Sequence, residues 1–153
     1  MSEKKIVGIT MGDPASIGPE ITVKAFADKS LYDLCNPVVV GDASVMEAAL
    51  PVVGHTEMKI NAIKDVSEAK YEYGTIDVLD MGLVDMAQLK RGEVSAMCGD
   101  AAFKYVTKVI ELAMDKKVDA TVTNAFNKEA VNLAGHHYSG HTEIYADMTG
   151  AKN

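Results

Sequence analysis

The sequence predicts an α/β protein in which a mostly parallel sheet is flanked by helices. Three observations favour this fold class: strand-like segments alternate with helical segments, the strands are continuously apolar, and Gly and Pro cluster between the two kinds of segment. Strands of a parallel sheet are buried on both faces, which explains their continuous apolar character. We therefore expect ligands to bind beyond the carboxyl ends of the strands.

The first half of the chain supplies two buried strands and two helices. In chain order they are predicted as a strand at Lys5–Thr10, a helix at Pro19–Lys29, a strand at Pro37–Gly41 and a short helix up to Leu50. Pro19 follows Gly18 and precedes Glu20, which is typical of the first turn of a helix. Either Asp42 or Ser44 is expected to cap the short helix.

The second half continues the alternation of strands and helices. The predicted elements are strands at Glu57–Ile63 and Gly74–Leu79, a helix at Ser95–Lys117, a strand at Val118–Thr123, a helix at Asn127–Leu133 and a last helix from about Thr142. The helix from Ser95 is predicted most strongly, because its apolar residues recur every three or four positions. Lys116 and Lys117 suit the negative end of its dipole.

Composition excludes several classes of protein. The chain has 153 residues, of which 48% are hydrophobic and 24% charged, with a formal net charge of −7, as is typical of one acidic folded domain. Nonspecific nucleic-acid binding needs clustered cations, which an acidic chain lacks. No apolar run approaches the ~18 residues that span a bilayer, and no signal-peptide pattern is present. We expect a cytoplasmic protein with free thiols at Cys35 and Cys98 and no nucleic-acid or membrane partner.

Two segments at predicted strand ends carry candidate binding residues. The segment from Thr10 to Glu20 combines two glycines, two prolines and Asp13 before a helix N-terminus, where backbone N–H groups favour an anion. It matches neither a dinucleotide fingerprint nor a Walker loop, and a tight strand–helix turn is the alternative. Lys128 begins a predicted helix, where a cation opposes the dipole. That placement favours an anionic ligand, against the alternative of a solvated surface lysine.

The third candidate segment contains three of the four histidines, at positions 136, 137 and 141. A structural zinc site formed by His136, His137 and His141 is one alternative, although Gly140 interrupts any helical face that they would share. A hydrated loop with a capping Thr142 is another. A polar ligand-binding loop is favoured, because imidazole, hydroxyl and helix N-terminal amides all bind anions. We expect Asp13 and the His141–Thr142 pair to meet in one anion-binding crevice.

Taken together, the motifs resemble the 4-hydroxythreonine-4-phosphate dehydrogenase family of vitamin B6 biosynthesis. The resemblance is greatest to the branch that acts on D-threonate or D-erythronate 4-phosphate, and it extends over essentially the whole chain. The matching motifs, in the order of the family, are Ile9–Glu20, Gly99-Asp100, Asn127–Ala130, Ala134–His136 and Gly140–Glu143.

The resemblance implies a fold, an activity and binding residues. The fold would be one lobe of a structure similar to isocitrate and isopropylmalate dehydrogenases, in a homodimer. The activity would be NAD- or NADP-dependent oxidation, with decarboxylation, of a phosphorylated hydroxy acid such as 4-phosphohydroxy-L-threonine, assisted by divalent Zn, Mg or Co. His141 and Thr142 match the family's substrate-binding pair, and Asp13 and Lys128 lie in motifs that line its cleft.

The chain departs from the family in one residue and in length. Ser16 stands where the family usually has Gly, which is costly if φ is positive there and benign if φ is negative. Family members continue well beyond Asn153, and their metal-ligating histidines and most dinucleotide contacts lie in that continuation. We therefore assign no metal or cofactor residue in this chain and expect no tightly bound cofactor.

The departure in length also bears on activity. Residues 1–153 are expected to form the N-terminal α/β portion of a two-lobe dehydrogenase whose C-terminal half is absent, inactive on its own. The alternative is a non-catalytic small-molecule binding or dimerisation domain derived from the same fold.

Overall fold

A computed structural model describes residues 4–151, and within that range five strands form one parallel sheet. The strands are β1 (Ile6–Thr10), β2 (Asn36–Gly41), β3 (Lys59–Ile63), β4 (Thr75–Asp80) and β5 (Ala120–Thr123). Their order across the sheet is β3-β4-β2-β1-β5. The predicted fold class is therefore confirmed.

Helices occupy most of the connections between the strands. They are α1 (Gly18–Phe26), α2 (Ser30–Leu34), α3 (Ala43–Val52), α4 (Ala96–Met114), α5 (Lys128–Leu133) and α6 (His141–Thr149), with a short 3-10 helix at Val66–Glu68. In the part of the chain that the structure describes, no helix combines the length and apolar character needed to cross a bilayer.

The core is formed by the central strands and the helices that cover them. Val38, Val39 and Val40 are consecutive residues of β2 and are all fully buried. Because successive side chains of a strand point to opposite faces, both faces of β2 are covered. Helix α4 packs across β1, β2 and β5, whereas α3 packs against β3 and β4. Cys35 and Cys98 are both free, as predicted, and both are buried.

The helix predicted at Pro19–Lys29 ends three residues early, and α2 follows it as a separate helix. The carboxylate of Asp28 accepts hydrogen bonds from the backbone nitrogen of Ser30 at 2.9 Å and from its hydroxyl at 2.7 Å. This local turn competes with the continuation of α1.

The prediction that Asp42 or Ser44 caps the helix after β2 is wrong. Asp42 directly precedes α3, but no side chain caps this helix. The Asp42 carboxylate instead accepts hydrogen bonds from the Tyr105 hydroxyl at 2.6 Å and from the Val84 backbone nitrogen at 2.8 Å. Burial and the contact with Asp42 raise the pKa of Tyr105 far above its ordinary value. The carboxylate therefore joins α3 to α4 and to the segment after β4.

Strand β5 lies at an edge of the sheet and pairs with β1 alone among the described residues. The sequence predicts a short strand at Val118–Thr123, whereas β5 begins two residues later and its alternate residues are exposed, with Val122 51% accessible to solvent. Because successive side chains of a strand point to opposite faces, this alternation shows that the described residues leave one face of β5 uncovered.

Candidate substrate site

The candidate site lies at the carboxyl ends of β1 and β5, where the segment after each strand contacts the other. The backbone nitrogen of Asp13 donates a hydrogen bond to the carbonyl of Ala125 at 3.2 Å. Gly12 has a φ of +80°, and a Cβ atom at this position would lie 2.7 Å from the Ala125 oxygen. Glycine is therefore required here both by the backbone conformation and by the close approach of the 124–127 segment.

Asn124 is a residue of the site that sequence reasoning missed. Its side-chain nitrogen donates hydrogen bonds to the carbonyl of Thr10 at 2.9 Å and to the hydroxyl of Thr22 at 2.8 Å. Its backbone nitrogen donates to the Thr10 hydroxyl at 3.1 Å. The sequence did contain a signal for this residue, because its amide side chain directly follows a strand, at the carboxyl end where ligands bind in such sheets. Asn124 thus ties β1, α1 and the segment after β5 together.

Asp13 lies beside a cavity of about 430 Å³ near the carboxyl end of β1. Its side chain is 2% exposed, and Oδ1 accepts a hydrogen bond from the backbone nitrogen of Ala15 at 2.8 Å. Burial raises the pKa of Asp13, although hydrogen bonds from the backbone of Ala15 and Asn127 lower it in part. A buried carboxyl group with a raised pKa beside a cavity is typical of a functional position.

Asp13→Asn is expected to make the chain more stable at pH 7, by the 0.5–2 kcal/mol or so that such stabilising changes commonly give. Because the pKa of Asp13 is raised in the folded state, folded chains bind more protons than unfolded chains between the two pKa values. The free energy of unfolding therefore falls as pH rises through that window. Above the window, the buried charge of Asp13 destabilises the chain to its full extent. Asparagine removes the charge and keeps an oxygen for the Ala15 nitrogen, but its NH2 group cannot accept from the Asn127 backbone, so the gain is expected near the lower end of this range.

Urea unfolding from pH 4 to pH 7 measures this effect. The advantage of the Asp13→Asn chain is expected to shrink as pH falls, because Asp13 then becomes protonated in the wild type. Asp33→Asn, at an exposed position on α2, is the matched control and should not change the pH dependence. An advantage that is absent at pH 7, or that does not vary with pH, would contradict the prediction.

Ser16 does not have a positive φ, since Tyr71 and Lys116 are the non-glycine residues of the described range in that region. Its side chain is exposed. The structure therefore supports the benign alternative for this departure from the family pattern.

His141, the first residue of α6, stacks on Phe126 with ring centroids 4.0 Å apart. Its Nε2 atom is buried and has no hydrogen-bond partner among the described residues. Burial lowers the pKa of His141, and a hydrogen bond to the backbone of Asn124 offsets this in part. The ring is thus favoured in its neutral form, which binds through one donor and one acceptor nitrogen.

Thr142 is exposed in the first turn of α6. Gly140 occupies the cap position in extended conformation, and no side chain caps the helix. The carboxylate of Glu143 accepts a hydrogen bond from the backbone nitrogen of Ser139 at 2.7 Å, outside the helix. The first N–H groups of α6 therefore remain available to an anion, together with the Thr142 hydroxyl.

Lys128 is the first residue of α5 and is exposed. Hydrogen bonds from Ser139, and in smaller part the charge of Lys128, lower the pKa of Glu143. The structure thus brings Lys128 near the first turn of α6.

The single crevice stays a prediction, because the described residues enclose only the part of it beside Asp13. Asp13 and His141 both contact the 124–127 segment, through Ala125 and Phe126 respectively. However, the cavity beside Asp13 is lined by Asn127 and by residues of the 13–20 and 91–94 segments, and not by His141, Thr142 or Lys128. Asp13 and His141 therefore contact neighbouring residues of the segment that follows β5, without sharing this cavity.

The described residues do not fit a metal ion. No group of three or more His, Cys, Asp or Glu side chains within residues 4–151 is arranged to hold one. His136 places Nε2 at 2.8 Å from Oδ1 of Asp100, so this nitrogen already has a partner. Burial raises the pKa of Asp100, but hydrogen bonds from His136 and Lys104 outweigh it and leave that pKa lowered. The zinc alternative gains no support from this arrangement.

Comparison with known proteins gives consistent matches. Residues 33–153 match the family model described as "Pyridoxal phosphate biosynthetic protein PdxA". A relative from Halalkalibacterium halodurans that carries the name of a D-threonate 4-phosphate dehydrogenase is 50% identical over 149 residues, which cover 97% of this chain and 44% of the relative. The chain therefore spans less than half the length of this curated relative.

Solved structures show the same fold. The crystal structure of a 4-hydroxythreonine-4-phosphate dehydrogenase from Burkholderia phymatum superposes with a TM-score of 0.95 at 47% identity, covering 99% of this chain and 46% of that one. The corresponding enzyme from Klebsiella pneumoniae gives a TM-score of 0.90 at 40% identity, with 97% and 45% covered.

Proposed function

The chain belongs to the family described as pyridoxal phosphate biosynthetic protein PdxA, and from this membership we propose that it forms the N-terminal α/β portion of a two-lobe dehydrogenase. The proposed reaction is NAD(P)-dependent oxidation, with decarboxylation, of a phosphorylated hydroxy acid. The names of the similar proteins favour D-threonate 4-phosphate or 4-hydroxythreonine 4-phosphate as the substrate class. The chain would contribute part of the substrate site.

The observation that carries this proposal is the partnerless Nε2 of His141 at the uncapped start of α6. A neutral imidazole nitrogen, a free hydroxyl and helix N-terminal amides together bind a phosphate or a substrate hydroxyl. We assign His141 and Thr142 to substrate binding. Asp13 and Lys128 are assigned to the walls of the cleft on either side of the 124–127 segment.

This chain would hold neither a metal ion nor the nicotinamide cofactor of the reaction. The described residues contain no metal-ligand cluster, and the sequence contains no dinucleotide-binding fingerprint. What this chain would supply is binding and orientation of the substrate, which keeps the oxidised carbon in a fixed position.

Titration of the 153-residue chain with D-threonate 4-phosphate tests the substrate assignment. We expect weak binding, in the millimolar range, and a Kd at least about tenfold higher for His141→Gln and for Thr142→Val, because each loses a hydrogen bond to a charged group. His137→Gln is the matched control, since His137 is an exposed histidine of the same segment. Equal affinity in all four proteins would contradict the assignment.

The alternative function is a non-catalytic binding or dimerisation domain, and the lack of a metal-ligand cluster within residues 4–151 favours it for this chain alone. A steady-state assay with NAD⁺, Mg²⁺ or Zn²⁺ and D-threonate 4-phosphate separates the two functions. We expect no turnover by the 153-residue chain. Turnover would show that this chain contains a complete active site.

We also propose that the chain self-associates. The outer edge of β5 pairs with no strand of the described range, and two large apolar side chains, Val122 of β5 and Leu133 of α5, are 51% and 61% exposed. An apolar strand edge is a template for pairing with another chain. Light scattering should give a mass above that of the monomer, and Val122→Lys should lower it. A monomer at all concentrations would contradict the proposal.

A further inference from the structure

The turn between α5 and α6, residues 134–140, ends at the residues to which we assign substrate binding. Gly135 continues this turn with a φ of +93°, and the backbone nitrogen of His136 donates to the carbonyl of Val131 at 3.2 Å. The turn therefore leaves α5 in a defined direction, as at a glycine-terminated helix. The contacts that hold residues 136–140 therefore determine where His141 and Thr142 lie.

The His136 ring is held on two sides by α4. Its Nε2 atom lies 2.8 Å from Oδ1 of Asp100, and its face stacks on Phe103 with centroids 3.8 Å apart and planes 13° from parallel. Asp100 and Phe103 are three residues apart, which places them on the same face of the helix. The His136 and Asp100 side chains are 25% and 35% exposed, so water competes less for this pair than for a fully exposed one.

The Asp100 carboxylate, which pairs with the His136 ring, is itself fixed in orientation. The second carboxylate oxygen of Asp100 pairs with Lys104 at 2.8 Å, one turn along α4. Helix α4 is anchored in the core by fully buried Tyr105 and by the close approach of Gly99 to α5. The position of the His136 ring is thus set by the most extensively packed helix of the described chain.

Contacts continue from His136 to α6. Tyr138 also packs on Phe103, at 5.5 Å between centroids, and its hydroxyl donates to Asp147 of α6 at 2.7 Å. The Ser139 nitrogen then donates to Glu143, in the first turn of α6. His141 follows His136 by five residues, so each contact limits where its ring lies.

We propose that His136, held between Asp100 and Phe103, is a positioning residue that fixes the 134–140 turn on α4 and thereby places His141 and Thr142 for ligand binding. The inference rests on the proposed function for what the pair binds, but the placement of His141 is independent of it. The histidine acts through a hydrogen bond and a stacked ring, not as a metal ligand or a reacting group.

Nitrogen-15 NMR of the histidine rings, combined with titration by inorganic phosphate, tests the proposal. His136→Ala and Asp100→Ala should move the His141 ring resonances toward those of a solvated imidazole and raise the phosphate Kd about tenfold. Asp100→Asn keeps an oxygen acceptor, so its His141 ring resonances and its phosphate Kd should both lie close to those of the wild type. Lys108→Ala, on the same helix with only an exposed pairing to Glu111, is the control and should change neither.

A folded His136→Ala chain with unchanged His141 resonances and unchanged phosphate affinity would overturn the proposal. Circular dichroism melting establishes that each variant folds. If His136→Ala does not fold, Phe103→Leu removes the flat stacking surface at similar volume and must shift the His141 resonances, or the proposal fails.

The two hypotheses fail separately. If wild-type chain binds no phosphate while His136→Ala shifts His141, the proposed function is wrong and the positioning role stands. If phosphate binds and His136→Ala changes nothing, the positioning role is wrong and the proposed function stands.

Discussion

Replacing Gly99 with alanine is expected to lower the free energy of unfolding by about 2 kcal/mol. Gly99 lies in the first turn of α4, where this helix approaches α5. A Cβ atom at position 99 would overlap the carbonyl group of Ala130 and lie 2.6 Å from the backbone nitrogen of Val131. Backbone atoms cannot rotate away as a side chain can, so one helix must shift.

The size of this effect is the difference between two opposing contributions. Alanine stabilises a helix relative to glycine by about 1 kcal/mol, whereas forcing extra volume into a packed contact costs typically about 1–3 kcal/mol and occasionally more. The overlap lies at the upper end of that range, about 3 kcal/mol, because the Cβ meets backbone atoms of α5, and the difference is therefore about 2 kcal/mol. A displaced α5 also moves the 134–140 turn, so phosphate binding should weaken together with stability.

Urea unfolding followed by circular dichroism measures the loss. Lys108→Ala introduces the same residue on the same helix without a backbone contact, and it should stay within about 0.5 kcal/mol of the wild type. A Gly99→Ala chain as stable as this control would show that α4 and α5 do not approach as closely as described.

Replacing Asn124 with alanine is expected to cost about 2–3 kcal/mol and to weaken phosphate binding as well. The change removes the hydrogen bonds that the side chain donates to the Thr10 carbonyl and the Thr22 hydroxyl. Thr10 and Thr22 are buried, so water cannot replace the lost donor without opening the structure. The ring of His141 contacts the Asn124 backbone, so the candidate site should move with it.

Asn132→Ala provides the matched control for Asn124→Ala. The chemical change is identical, but Oδ1 of Asn132 is buried without a hydrogen-bond partner among the described residues. Removing an unpaired polar atom should be neutral or slightly stabilising. If both variants lose the same stability, the cost belongs to the loss of side-chain volume and not to the hydrogen bonds of Asn124.

Local sequence signals located helix starts well. Pro19 lies in the first turn of α1, Ser95 caps α4 by accepting from the Cys98 nitrogen at 3.2 Å, and Asn127 caps α5 by accepting from the Ala130 nitrogen at 2.9 Å. Each cap acts within three residues of itself, so the sequence contains the whole interaction. The early end of α1 at Phe26 escaped prediction because the Asp28 side chain competes with the helix for backbone partners.

Long-range polar contacts could not be predicted in the same way. Asp42 bonds to Tyr105, which is 63 positions away, and His136 bonds to Asp100, which is 36 away. Asn124 bonds to Thr10 across 114 positions. In each case a polar residue was visible in the sequence, but its partner was set by how the helices pack on the sheet.

The sequence by itself determined the alternation of strands and helices, the parallel sheet and the placement of polar segments at strand ends, because these follow from local backbone preferences and apolar periodicity. Only the tertiary structure decided that Asp13 and His141 both contact the 124–127 segment and that His136 rests on α4. A hydrogen bond forms only within about 3 Å, and that distance is fixed by packing between elements far apart in the chain.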